Sequence, residues 1–252
     1  MNNTRAVVAA LHVNISEDVR YEGFGRVLSE ANKTLTTLHQ LDISDHKEMY
    51  VKVTECFLQI LNENNLLPEP KRRGFLCNVE NAVYPEVIRY VRELDVKKNR
   101  VRPSLAIGYE ASLPTAICAT RCDFMGPTTS LIDTLGGLQM LGFACNMVAE
   151  EQAELMVIAH IDRIYVEDKS NDFQGEITLA AVMNPKACKS VKEIGFIRDW
   201  GWTHCCEKSN GTNLRDFVTW LQNELHSSQF VANQGLSEQI WFTTVGEGGE
   251  RK

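Results

Sequence analysis

Positive charge is in short supply in this sequence: 26 Lys and Arg stand against 33 Asp and Glu, a net charge of −7 at pH 7. A general nucleic-acid binder needs a basic face to neutralise phosphates, so this balance argues against that class. The two basic stretches, PKRRG at Pro70 to Gly74 and DVKKNRVR at Asp95 to Arg102, read as solvated loop charge. Long hydrophobic runs are missing too. No segment approaches the roughly 20 apolar residues of a membrane span. The short apolar run after Arg5 is ended by Asn14 and is too rich in strand formers for a signal peptide. A cytoplasmic protein without membrane contact is expected. With no internal repeat, low-complexity tract or long linker, the chain reads as one large domain or a tight pair of subdomains.

The CxxC spacing of a zinc knuckle is also absent. The eight cysteines are Cys56, Cys77, Cys118, Cys122, Cys145, Cys188, Cys205 and Cys206, and most lie inside apolar runs at irregular intervals. Cys118 and Cys122 sit four apart, and His204 adjoins Cys205 and Cys206, but both groups lie in strongly patterned segments. In a cytosolic chain these thiols are expected to be free and packed as small hydrophobes, with no metal and no cofactor.

What the sequence does contain is alternation of buried strands with amphipathic helices. RAVVAALHVNI reads as an opening strand covered on both faces. Asp45 to Asn65 follows with Met49, Val53, Phe57 and Ile60 at helical spacing. Arg72 to Val79 is a short strand, Tyr84 to Leu94 a helix with Pro85 in its first turn, and SLPTAICATRC a helix started by Pro114. TTSLI, ELMVIAHI, GEITLAAVMN, EIGFIRDWGW and SEQIWFTTV are strands, and the runs from Leu135 to Gln152 and from Thr212 to His226 are helices. The fold class is α/β: a layered fold with a mixed, largely parallel sheet and helices on both faces.

One stretch, GPTTSLIDTLGGLQMLG at Gly126 to Gly142, has the shape of a nucleophile turn. A Gly-Pro entry leads to a β-branched strand, a small-residue corner at Gly136 and Gly137, and an apolar helix. Enzymes use such corners to hold a Ser or Cys at a helix mouth, where unpaired backbone N–H groups stabilise an anion. The corner here reads Asp133, Thr134, Leu135.

Three ordered stretches carry a family resemblance. SLPTAICATRCDFMGPTTSL resembles the helix, turn and Gly-Pro strand of β-ketoacyl synthases. TLGGLQMLGFACNMVAEEQAELMVIAHID resembles their nucleophile corner, long helix and following strand, with the Gly-Gly-x-Asp signature altered to AHID at Ala159 to Asp162. GEITLAAVMNPKACKSVKEIGFIRDWG resembles the hairpin that comes next. The resemblance covers roughly residues 1 to 200 and implies the N-terminal half of a thiolase-like fold, with residues 201 to 252 a divergent C-terminal extension packed on the same domain. In that family the corner holds an acyl-accepting Cys. Counting from the Gly-Pro places it on Leu135, counting from the glycines on Thr134, and neither is a thiol. His204 and His226 do not match the family's C-terminal histidines and read as surface or packing residues.

A ketosynthase-like chain without the Cys resembles the chain length factor, the inactive partner of a ketosynthase in type II polyketide and aryl polyene systems. The resemblance implies a heterodimer with a ketosynthase, an acyl carrier protein docked mainly on that subunit, and a growing polyketide chain in a shared tunnel. Tyr109, Leu113, Ile117, Thr120 and Phe124 would line the tunnel. Thr128, Thr129, Ser130, Leu131 and Ile132, with Gly136 and Gly137, would form the subunit interface, and Lys71, Arg72 and Arg73 are minor docking candidates. Trp200, Trp202, Trp220 and Trp241 would cover the surface that a C-terminal half otherwise buries. Two competing readings are a compact acyltransferase or hydrolase using Thr134, Cys118, Cys122 or Cys145, and a monomeric α/β binding protein.

Overall fold

The computed structural model describes residues 4–16, 18–41, 46–79, 84–97, 112–163, 174–188, 194–203, 209–223, 228–233 and 239–245. Tyr109, His204, Cys205, Cys206, His226 and the end of the second basic stretch lie outside these residues. Among the described residues nine strands form one sheet: β1 (Arg5–Ile15), β2 (Val19–Phe24), β3 (Arg73–Asn78), β4 (Thr128–Leu131), β5 (Leu155–Arg163), β6 (Gly175–Met183), β7 (Gly195–Thr203), β8 (Ser228–Asn233) and β9 (Gln239–Val245). Their order is β4-β3-β5-β6-β1-β7-β9-β8, with β2 paired to the second half of β1.

The sheet is mixed, but the expectation that it is largely parallel is corrected. Among the strand pairs of the described residues, only β3 with β4 and β3 with β5 run parallel. The pairings β1–β2, β1–β6, β1–β7, β5–β6, β7–β9 and β8–β9 are antiparallel. Continuous apolar strands suggested parallel pairing because crossover helices normally cover such strands. Here helices cover both faces of an antiparallel centre, which produces the same sequence signature.

The helices are α1 (Arg26–Ser29), α2 (Asn32–Thr36), α3 (His46–Glu63), α4 (Tyr84–Lys97), α5 (Leu113–Arg121), α6 (Leu138–Ala149) and α7 (Leu214–Asn223). Period-two alternation divides the strand side chains between two cores. Leu155, Val157 and Ala159 of β5 join Phe57 of α3, Cys118 of α5 and Phe75 of β3 on one face. Met156 and Ile158 join Leu141 of α6 and Phe217 of α7 on the other. The six residues Ala6 to Leu11 of β1 have no exposed surface, and their three alanines let helices approach from both sides.

Residues beyond 200 complete the second core rather than hanging from it. Phe217 of α7 sits at ring-centroid distances of 5.0 Å from Phe242 and 5.1 Å from Phe230, and Trp200 stacks 6.4 Å from Phe242. Trp200 also crosses α6 at Gly142, where a methyl group would come within 2.5 Å of the indole, and its Nε1 donates to Asn146 Oδ1 at 3.0 Å. Trp220 packs on the same core, whereas Trp202 remains 45% exposed. Asn213 caps α7 by accepting the Asp216 N–H at 2.9 Å, while Asp216 accepts the Thr212 N–H at 2.8 Å, a reciprocal box.

Phe217→Ala empties the middle of this aromatic cluster and is expected to lower stability by about 3–5 kcal/mol. Trp202→Ala, at an exposed position, is expected to cost about 1 kcal/mol or less. Urea denaturation of both variants checks the contrast, and equal losses would show that the cluster does not hold the last fifty residues in place.

Candidate functional site

The strand-to-helix corner between β4 and α6 is built on a buried carboxylate. Asp133 has no exposed surface, and its Oδ1 and Oδ2 accept the backbone N–H groups of Leu135 at 2.9 Å and Met140 at 3.1 Å. The backbone amides of Gln139 and Gly137 also favour its charged form. The Met140 N–H is an orphan donor of the α6 N-terminus, where an anion is favoured, and the Leu135 N–H belongs to the turn before it. Burial pushes the Asp133 pKa up, and the backbone donors oppose that rise.

Asn78, at the end of β3, clamps the corner from the sheet. Its Nδ2 donates to the Asp133 carbonyl at 2.9 Å, and its Oδ1 accepts the Asp133 N–H at 3.1 Å. These two bonds fix which way the amide faces. Asn78 Nδ2 also lies 3.0 Å from His160 Nδ1, so that nitrogen accepts and the neutral ring carries its proton on Nε2.

A polar file then crosses the sheet. Asn78, His160, Thr178, His12 and Glu22 are successive cross-strand partners on β3, β5, β6, β1 and β2. His12 Nδ1 lies 3.0 Å from Thr178 Oγ1, and Glu22 pairs at 3.0 Å with Arg215 of α7. Sequence reasoning missed both histidines because it looked for bases close to the corner along the chain. A signal was present: in LHVN and AHID a His is followed two residues later by a second polar group, inside otherwise apolar strands.

Thr134 is exposed, while Leu135 is buried in the second core beside α6. Gly136 and Gly137 both adopt positive φ, at 56° and 94°. The thiols offered as alternative nucleophiles are poor candidates. Cys118, Cys122 and Cys145 are buried, and desolvation pushes each pKa up to about 12, so they stay protonated and inert near neutrality.

Among the proposed tunnel residues, Leu113, Ile117 and Thr120 lie along one side of α5, opposite its buried face of Pro114, Cys118 and Thr115. Phe124 turns the other way and stacks on Phe75 at 4.8 Å in the first core. Of the basic trio, Arg72 is paired with Glu154 at 2.6 Å and Arg73 donates to the Pro68 carbonyl. The interface candidates Thr128 to Leu131 form β4, which is the last strand of the sheet. No strand lies beyond it among the described residues. Pro127 and Leu131 direct their carbonyls to β3, accepting from Phe75 and Val79, so alternation turns the backbone groups of Thr128 and Ser130 outward. Ile132, 68% exposed, and Met125, 63% exposed, flank this edge.

Solved structures share this architecture. A chain of the ishigamide ketosynthase/chain length factor superposes with a TM-score of 0.57 at 11% identity, over 79% of this chain and 67% of that one. A chain of the AntDE:AntF complex, a type II polyketide synthase acyl-carrier protein with its ketosynthase bound to the hexaketide, gives 0.60 at 10% identity, over 98% of this chain and 100% of that one. A chain of the complex of ketosynthase ApeO with its chain length factor ApeC, from Xenorhabdus doucetiae, gives 0.56 at 9% identity, over 95% and 99%. This chain has a ketosynthase-type, thiolase-like fold. In the latter two the likeness extends past residue 200. No protein-family model and no curated protein matches the chain. Among the described residues of this ketosynthase-type fold, no helix is long and apolar enough to cross a membrane.

Burial is the first cause that lowers the pKa of both His12 and His160; Arg215 lowers His12 further, while Glu176 and Glu22 oppose, and at His160 Asp162 and Glu176 oppose and His12 reinforces. The unfolded chain therefore takes up protons below pH 6.5 that the folded chain refuses, so stability falls as pH falls through that region. Asp133 acts in the opposite sense, costing stability as pH rises above its ordinary 3.8. Urea midpoints between pH 7.5 and 5.5 are expected to fall in the native chain and to fall less in a His12→Gln/His160→Gln variant. Parallel pH profiles would show that the histidines are not held neutral by the fold.

Proposed function

We propose that this chain is a non-catalytic, chain-length-factor-like subunit that pairs with a ketosynthase. The exposed edge strand β4 carries the reading: the backbone groups of Thr128 and Ser130 point outward, with apolar Met125 and Ile132 at its ends. Such an edge is an aggregation hazard unless another strand covers it. A strand of a ketosynthase running beside β4 would satisfy those groups and bury Ile132 next to Gly136 and Gly137.

Chemistry would then sit on the partner. The corner has Leu135 turned into the core, its helix amides taken by Asp133, and no ionised thiol at hand. The growing polyketide chain on the ketosynthase would run past the half-exposed side of α5, with Leu113, Ile117 and Thr120 as the wall and Phe124 bracing it from the core. Each methylene forced against that wall costs about 1–3 kcal/mol, which is how bulk there would stop elongation. The net charge of −7 and the engagement of Arg72 by Glu154 direct an acidic acyl carrier protein to the ketosynthase instead.

Co-expression with a type II ketosynthase, followed by size-exclusion chromatography with mass determination, is expected to give a one-to-one complex. Ser130→Pro removes an outward N–H while leaving the β3 bonds intact, and is expected to weaken that complex about tenfold or more. Ser130→Ala loses only the hydroxyl bonded to Thr115 at 2.7 Å and is expected to retain it. A monomer that ignores the ketosynthase would overturn the reading and point to acyl-thioester labelling of Thr134.

A further inference from the structure

The two corner glycines are already crowded. A methyl group built on Gly136 would lie 2.5 Å from Asn213 Cβ, 3.0 Å from Asn213 Cα and 3.3 Å from the Thr212 carbonyl oxygen. One built on Gly137 would lie 3.2 Å from His160 Cβ and 3.3 Å from Leu214 Cβ. What meets position 136 is largely backbone, which cannot swing aside as the end of a long side chain can. The segment is also tied down. Leu214 N–H donates to the Gly136 carbonyl at 2.9 Å, the Asn213 and Asp216 box fixes the start of α7, and Arg215 reaches Glu22 at 3.0 Å.

A working nucleophile turn needs two things at its tip: room for a side chain on the left-handed residue, and helix amides free to bind the developing anion. We propose that Thr212, Asn213 and Leu214 form a plug, supplied by the chain itself, that occupies the side-chain seat of the corner at Gly136. Asp133 fills the accompanying anion site. The inference rests on reading the corner as a degenerate nucleophile turn, and it assigns to the start of α7 a role that the resemblance did not suggest. Loss of the nucleophile is then not a single exchange at Thr134 or Leu135. The whole seat is closed, and a thiol returned to the tip has no space and no free amides.

The test uses this chain alone, so its outcome is independent of whether a ketosynthase binds. Gly136→Cys is expected to lower Tm by about 3–8 °C, from a non-glycine residue at positive φ and the clash with Asn213. Iodoacetamide labelling, read on the peptide containing the substituted position, is expected to be at least about tenfold slower in the folded protein than in urea. Adding Asn213→Gly removes the nearest atom, and is expected to recover part of the Tm and speed the labelling. Hydrogen exchange on the unmodified chain provides a second reading that no folding defect can obscure. The Leu214 amide is expected to exchange about 100-fold or more slowly than in an unstructured peptide. A Gly136→Cys variant whose new thiol labels at its unfolded rate with unchanged Tm, or a Leu214 amide that exchanges freely, would overturn the plug. Loss of the ketosynthase complex with both results intact would instead remove only the partner reading.

Discussion

A carboxylate with no exposed surface must be satisfied by its surroundings, and in this chain the surroundings of Asp133 are the corner itself. Its two oxygens take backbone donors from Leu135 and Met140, and its own backbone is paired both ways with the Asn78 amide. Leaving one such buried group without its partner costs about 1–3 kcal/mol, more for a charged group. The end of β3, the turn, and the start of α6 therefore hold together or fail together. The orientation of Asn78 then dictates the tautomer of His160, which carries the constraint one strand further into the sheet.

Much of this architecture was legible because burial on both faces leaves a plain mark. β1, β5 and β6 each contain a long apolar run, and no other element of their length fits the turn signals around them. The helices α3, α6 and α7 show their spacing equally well. β2, by contrast, reads VRYEGF: its exposed face carries Arg20 and Glu22, and its short apolar set resembles a loop. β8, SQFVAN, is likewise short, and its place in the fold is set by Phe230 meeting Phe217, a contact no local pattern encodes. Strand direction was misread for a physical reason: what a sequence records is coverage, and coverage by helices does not depend on whether the neighbouring strand runs up or down.

The site was less legible than the fold because its parts are joined across long separations. Asn78 reaches Asp133 over 55 residues and His160 over 82, and the plug comes from residue 213. Counting from either side of the turn could place a nucleophile only on Thr134 or Leu135. It could not reveal that the left-handed positions of the turn are Gly136 and Gly137, which the folded backbone identifies. Two adjacent glycines in sequence signal flexibility; in the folded chain they record close approach by another segment.

The corner and the edge strand share a support. Asn78 is the register partner of Leu131 in β4 and also the clamp on Asp133, only two residues further along. Ile132 is the single residue between them. A shift at the start of α6 is thus transmitted directly to the edge strand and its outward backbone groups. On the proposed reading, sealing the corner and presenting the edge are one structural task. Filling the seat from Asn213 and the amides from Asp133 leaves nothing in the turn free to relax, and a rigid turn fixes the angle at which β4 meets another subunit. The turn is then retained for its geometry, and that geometry is worth keeping only if something binds beside it.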